Sequence, residues 1–506
     1  MPNIFKKMII WTLAFFMVLP LFIQGAFAKK AELSLPYLEI PVSMETITVE
    51  LRSGSAPLNE VKFKNRVGNG FSFGYYDVTR TFKGFAYTTA TAISLRGDLG
   101  FFVDEENYVG PWHILLDYSY ADFENARNAA VSLGGFPAYV SGQYRVLVGA
   151  YADKETAEKA IKKIDHGAQA YCGSDSAILI TESETSNLIF LYDNPGGHKL
   201  AVKPNAEGNS AETWFSGYNY YGSFECGRSG NGIKTTNYVD LEHYVSGVLP
   251  YEMNGEWPME ALRSQAVCAR TYAINSINSY AHNGFDVRSD TYSQVYRGMN
   301  ESNAATDKAA ASTVGEYARY KGEICKVYYM SSDGGMTESG ENTFKQRRNY
   351  LSAVEDPYES DVEHYNENWS VKYTPFELQY ILNKRGYDVG EISEVSAIES
   401  DAGNVIGLIF TDINGKTAKV HNVDCYKVLN LNSLNYKVSK ETVDVEIPES
   451  DGVKATTAPQ LYFVFSGHGW GHNCGMSQWG SYAMADSHNM SYKEIIKYYF
   501  SGAYVK

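Results

Sequence analysis

Polar and apolar positions alternate along this chain first with a period of two and later with a period near four. From residue 29 to about 110 the alternation is strand-like, as in Thr46-Ile47-Thr48-Val49-Glu50-Leu51 and Ile93-Ser94-Leu95. Short strands with glycine-bearing turns are expected there, in a β-rich region of no assigned role. Trp112-His113-Ile114-Leu115-Leu116-Asp117 then reads as a strand, and Ala121 to Leu133 as a helix with one small, apolar side. Ala138-Tyr139-Val140 and Tyr144 to Tyr151 read as two strands around a Ser141-Gly142 turn. Asp153 is the expected N-cap of a second helix. This β-α-β-β-α order makes half of a ferredoxin-like sandwich. Asp193-Asn194-Pro195-Gly196-Gly197 and residues 203–210 are turn-rich and lead into a larger unit running to Lys506. In that unit Tyr238 to Leu249 reads as a strand and turn, and Trp257-Pro258 opens a long helix. Leu262, Ala266, Ala269, Ala273 and Ile277 form its buried stripe. Ser491 to Phe500 reads as a closing amphipathic helix. The expected class is α+β and multidomain.

Residues 1–28 have the pattern of an export signal. Lys6 and Lys7 precede an uncharged run from Met8 to Phe22, and Ala26-Phe27-Ala28 offers a cleavage site. The run is short for a membrane span, and its retention as an N-terminal membrane anchor is the alternative. Either way the expected location is outside the cytoplasmic membrane, in the cell wall or on the membrane's outer face. The length of 506 residues implies two to four domains with ample core. A net charge of −15 argues against a nucleic-acid partner, because phosphate neutralisation needs excess Lys and Arg. The 40 tyrosines suit a β-rich core and equally a sugar-binding cleft. Six scattered cysteines show no metal-binding spacing, and Cys268 reads as a small buried hydrophobe.

Two segments concentrate chemistry. Glu252 sits among Pro250, Tyr251, Met253 and Trp257. Apolar neighbours disfavour its ionised form and raise its pKa, as a general acid near neutral pH requires. Residues 467–480 place Gly, His and Trp in one loop, Gly467-His468-Gly469-Trp470-Gly471-His472-Asn473-Cys474-Gly475-Met476-Ser477-Gln478-Trp479-Gly480. Its glycines permit close backbone approach, and its His, Ser, Gln and Trp are suited to sugar hydroxyls and ring faces. Hydrogen bonding by His468 and His472 is preferred to metal ligation, because no helix aligns them.

Tyr144 to Ile164, with its aromatic-basic-x-x-Val-Gly strand and Ala-rich helix, resembles a SPOR domain. The resemblance implies a ferredoxin-like unit over residues 111–200 that binds glycan strands stripped of stem peptides. Tyr244-Val245-Ser246-Gly247-Val248-Leu249-Pro250-Tyr251-Glu252-Met253, the helix opened by Trp257-Pro258, and Gln294-Val295-Tyr296 resemble the SpoIID/LytB domain. So do Tyr350-Leu351, Asp356-Pro357, the 467–480 loop and Tyr498-Tyr499-Phe500-x-Gly502, placing that domain at residues 210–506. This resemblance implies a peptidoglycan lytic transglycosylase, with Glu252 as its catalytic glutamate, or a non-catalytic enhancer of a cell-wall amidase. Family members often hold a zinc through Cys and His before the Gln-Val-Tyr motif. Here Asp286-Val287-Arg288-Ser289-Asp290-Thr291-Tyr292-Ser293 stands in that place, so no metal or cofactor is expected.

A transglycosylase needs one carboxyl, because the sugar's own 6-hydroxyl replaces water as nucleophile. Glu256 reads as a solvated helix-start charge and Glu260 as a partner for Arg263 or Arg270. Arg270, Tyr329, Ser332, His472, Ser477 and Gln478 are the expected substrate-binding residues. The expected partners are peptidoglycan glycan strands and, on the alternative reading, an amidase.

Overall fold

The computed structural model describes residues 46–102, 108–164, 167–206, 211–364, 368–447 and 456–506. The export signal expected over residues 1–28 lies outside the described residues, as does the rest of the chain before Thr46. The fold is mixed α+β and multidomain, as its patterning predicts.

Two large sheets form the amino-terminal half. One has seven strands, in the order Val287–Arg288, Thr46–Glu50, Gly232–Asp240, Ser223–Ser229, Leu200–Pro204, Phe71–Tyr76 and Phe82–Thr88. The second has ten strands and includes Ala92–Gly97, Glu60–Val67 and Glu212–Phe215. Period-two patterning sets which face is buried. In Glu60–Val67, Val61 and Phe63 are buried while the alternating Lys62 and Lys64 are exposed. The two sheets enclose an aromatic core of Phe63, Phe71, Phe73, Phe190, Phe215 and Phe224. Phe63 and Phe224 pack tilted, with centroids 4.5 Å apart.

The ferredoxin-like unit is built into the ten-stranded sheet. Its strands β1 (Trp112–Leu116), β2 (Phe136–Val140), β3 (Gln143–Tyr151) and β4 (Ala168–Cys172) lie in the order β4-β1-β3-β2. Helices α1 (Phe123–Leu133) and α2 (Lys154–Ile161) cover one face. Strand β4 completes the β-α-β-β-α-β pattern of which the sequence displayed the first five elements. Asp153 caps α2 as expected, accepting from Thr156 N at 2.8 Å. The outer edge, β2, pairs in parallel with Leu188–Asp193. The segment expected as a separate unit over 111–200 thus shares its last strands with the surrounding sheet.

The carboxy-terminal half is a helical layer with an inserted β-rich unit. Helix α3 (Leu241–Glu252) follows directly from the strand Gly232–Asp240, where the sequence suggested a turn. Leu241, Tyr244, Val245, Val248 and Leu249 are buried at helical spacing, and Asp240 caps the helix through Glu242 N and His243 N. Pro250 falls in the last turn. Helix α4 (Met259–Ser276) starts immediately after Pro258, as predicted. It packs on α3 and α5 (Ala304–Ala311), and also on α7 (Gln478–Asp486) and α8 (Tyr492–Tyr499). Ser491 caps α8 reciprocally with Glu494. The insertion, residues 369–468, has its own core around helix α6 (Pro375–Lys384) and a hairpin of Asn435–Ile447 with Thr456–His468. Among the described residues no helix is long and apolar enough to cross a membrane.

Candidate active site

The last turn of α3 presents Glu252 beside two short parallel strands, β5 (Tyr329–Met330) and β6 (Met476–Ser477). Their close approach depends on Gly475, whose φ is +89° and where an added Cβ would lie 2.1 Å from the Tyr328 carbonyl oxygen. Glu252 is a half-buried residue whose carboxyl accepts from Val295 N at 3.0 Å. The side chains of Tyr329 and Gln478 face it as further donors. Behind Tyr329 runs a directional chain. Tyr244 OH donates to Gln294 Oε1 at 3.1 Å, and Gln294 Nε2 donates to Tyr329 OH at 2.9 Å. The Tyr329 hydroxyl hydrogen is left to point at Glu252. Crowding out of water raises the Glu252 pKa above the usual carboxylate value, and the three donors temper the rise. The negative end of the α3 dipole acts in the same direction as burial. Trp257 packs at 4.6 Å on Trp479, the residue after Gln478, and at 5.2 Å on Tyr482.

A second set of acids is bonded to Ser477 of β6 and to Ser332 and the backbone of Asp333, which follow β5. Asp333, Asp356 and Glu359 are buried, with ligand-competent oxygens within 4.8 Å of one another. Glu359 Oε1 accepts from Ser332 OH and His364 Nε2, and Oε2 from Asp333 N at 3.0 Å and Ser477 OH at 2.9 Å. Four donors outweigh burial and lower its pKa. Asp356 accepts from Tyr358 N, Glu359 N and Tyr499 OH, yet burial pushes its pKa up to about 6. Asp333 is raised further, by burial and by the two neighbouring acids, and its Oδ2 has no conventional donor. These three are the only group among the described residues with metal-ligating geometry. Because the Glu359 oxygens are already filled by donors, a proton shared from Asp333 satisfies the cluster better than a cation needing six oxygens.

The structure brings Tyr329 and Gln478 to Glu252, as the sequence suggested, but gives the other expected substrate contacts different partners. Ser332 and Ser477 are fully buried and bind Glu359. Arg270 is 0% exposed, and its guanidinium binds Glu242 at 2.6 Å and the carbonyls of Ala310 and Glu316. It ties α4 to α3 and α5 within the interior. The His472 ring accepts from Cys474 N at 3.1 Å and bonds the Tyr329 backbone. Burial, with Lys427 nearby, lowers its pKa to about 4, so it is neutral and shapes the loop. Glu260 pairs with Arg263 at 2.6 Å, and Glu256 is exposed. Where the family often carries zinc ligands, Asp286 receives Arg80 in a bidentate pair and Thr48 N at 2.9 Å. All six cysteines are unpaired, and only Cys172 is exposed. Glu359, His364 and Asp333 were not singled out as site residues. Glu359 stands in the acidic run Tyr358-Glu359-Ser360-Asp361, where no spacing distinguishes it from its neighbours.

Comparison with known proteins places these features. Residues 229–320 match the family model described as "SpoIID: Stage II sporulation protein", and residues 110–173 match the SPOR domain model. An uncharacterized protein of Brachyspira hyodysenteriae is 33% identical over 329 residues, 64% of this chain and 83% of that protein. The amidase enhancer of Bacillus subtilis is 27% identical, over 60% of this chain and 46% of its own length. Stage II sporulation protein D of Bacillus subtilis is 28% identical, over 53% of this chain and 74% of its own.

Proposed function

The chain belongs to the stage II sporulation protein D family and carries a SPOR domain, and from that premise we propose that it is a peptidoglycan lytic transglycosylase. The observation that carries this reading is a single working carboxyl at the site among the described residues. Glu252 accepts from Val295 N, faces Tyr329 and Gln478 and is biased toward its acid form by burial, while Glu359 has both oxygens filled. A hydrolytic glycosidase usually needs two available carboxylates, whereas an intramolecular transfer needs one. The Glu252 carboxylic acid donates its proton to the oxygen linking N-acetylmuramic acid to N-acetylglucosamine, and the C1–O bond breaks. The 6-hydroxyl of the same muramic residue then attacks C1 and returns its proton to Glu252, closing a 1,6-anhydro ring. Trp257, packed on Trp479 next to Gln478, offers an aromatic face for a sugar ring. The SPOR domain would hold peptide-stripped strands while the site cuts them, at the cell wall.

The test is mass spectrometry of products from purified glycan strands lacking stem peptides, comparing residues 29–506 with Glu252→Gln. Anhydro-muramyl ends from the parent, and a rate lower by about 10²–10⁴-fold in the variant with binding unchanged, are expected. A second reading follows from the similarity to the amidase enhancer. If neither protein cuts while both bind glycan, the chain acts as a wall-binding stimulator of an amidase.

A further inference from the structure

Two side chains from different segments face Glu252 as donors. Tyr329 comes from β5 and Gln478 from the residue after β6. Parallel pairing of β5 with β6 is only two residues long, Tyr329 with Met476 and Met330 with Ser477. Two-residue ladders are too short to fix a separation by themselves. Glu359 lies across this pair. Its Oε1 takes Ser332 OH and its Oε2 takes Asp333 N at 3.0 Å, both from the segment continuing β5. Oε2 also takes Ser477 OH at 2.9 Å, from β6. The carboxylate is held in turn by His364 at 3.1 Å, whose ring stacks on Trp479 with centroids 4.9 Å apart and planes 11° apart. Trp479 follows Gln478 directly and packs on Trp257.

We propose that Glu359, with His364, is a positioning residue for the Glu252 site. It ties the segment carrying Tyr329 to the segment carrying Gln478, so that both donors meet the same carboxyl. The proposal rests on the reading of Glu252 as the general acid. Glu359 itself touches no reacting atom. An amide in its place cannot accept at both oxygens, so one segment must release. Loss of the donors that favour the ionised form would leave Glu252 protonated to higher pH, with poorer orientation for proton transfer.

Glu359→Gln is the first variant and Gln478→Ala the second, alone and combined. Leu382→Ala, in the core of the insertion, controls for simple loss of stability. For Glu359→Gln the expected result is a kcat about 10–100-fold lower with KM nearly unchanged, and an alkaline limb of the kcat profile moved to higher pH. The double variant should be no worse than the poorer single one. Leu382→Ala should leave the pH profile in place. A crystal structure of Glu359→Gln reads the positioning whether or not the protein cuts glycan. Tyr329 or Gln478 withdrawn from Glu252 supports the proposal. Both donors still in place, additive kinetic losses, or an unmoved pH profile would overturn it. If the parent yields no anhydro ends, the transglycosylase reading fails while the crystal structure still judges the clamp.

Discussion

Three carboxyls buried within 4.8 Å of one another cannot all ionise without strong mutual repulsion, so the Asp333 carboxyl keeps its proton and donates it within the cluster. Asp356, raised to about 6, gives this arrangement a sign. Its folded-state pKa is above the unfolded value, so the stability it contributes is complete below about pH 4. That stability is lost as pH rises toward 6, and the difference is about 3 kcal/mol. Asp333→Asn supplies a permanent donor in place of the shared proton. Burial and Glu359 raise Asp356 while the Asp333 donor lowers it, so urea melts of the variant should retain the loss between pH 4 and 7. A loss reduced by half or more would show that Asp333 ionises in that range and refute the shared proton. At this scale the sequence was partly legible. Glu252 stood out because Pro250, Met253 and Trp257 surround it locally. Glu359 did not, because its donors lie at Ser332, Asp333, His364 and Ser477, and separations of up to 118 residues leave no local pattern.

Elements whose ends carry their own signals were readable, and those fixed by neighbours were not. Asp153, Pro258 and Ser491 mark helix starts by side-chain chemistry alone. Helix α3 was misread as a turn because Gly247 and Pro250 are poor helix formers, and its buried face against α4 and α5 overrides that preference. Its start and the β5–β6 junction should therefore respond differently to substitution. Asp240→Ala removes a cap three turns from Glu252 and should cost about 1 kcal/mol in urea melts while kcat stays within about twofold. Gly475→Ala forces a Cβ against the Tyr328 carbonyl at a positive φ and parts the two strands. It should cost about 3 kcal/mol and reduce kcat by more than tenfold. Equal kinetic effects from the two variants would separate the β5–β6 junction from the site.

At the scale of the whole molecule, the ferredoxin-like unit could be read as a motif but not as a piece of a larger sheet, because parallel pairing of β2 with Leu188–Asp193 leaves no sequence mark. This has consequences for cutting the chain. Trp112 and Cys172 are register partners on adjacent strands, so the unit enters and leaves the sheet at points about 5 Å apart. Replacing residues 112–172 with about three glycines removes β1 to β4 and both helices without stretching the remainder. It exposes Leu188–Asp193 as an edge and removes Phe123 and the Tyr139 ring that stacks on Phe85. Excision of residues 111–200 is far more damaging. It takes out Ile178–Glu182 and Leu188–Asp193, removing Ile178, Ile180, Phe190 and Tyr192 from the core between the two sheets. Each such loss costs about 2–5 kcal/mol, and their sum exceeds the stability of an ordinary domain. The shorter excision should yield a folded protein by circular dichroism, with a lowered melting temperature. It should retain cutting of soluble glycan fragments and bind peptide-stripped sacculi at least tenfold more weakly. The longer one should be recovered only as aggregate. Cooperative melting of the longer excision would mean that the ten-stranded sheet is not one structural unit. Undiminished sacculus binding by the shorter one would move glycan capture from the SPOR domain to the rest of the chain.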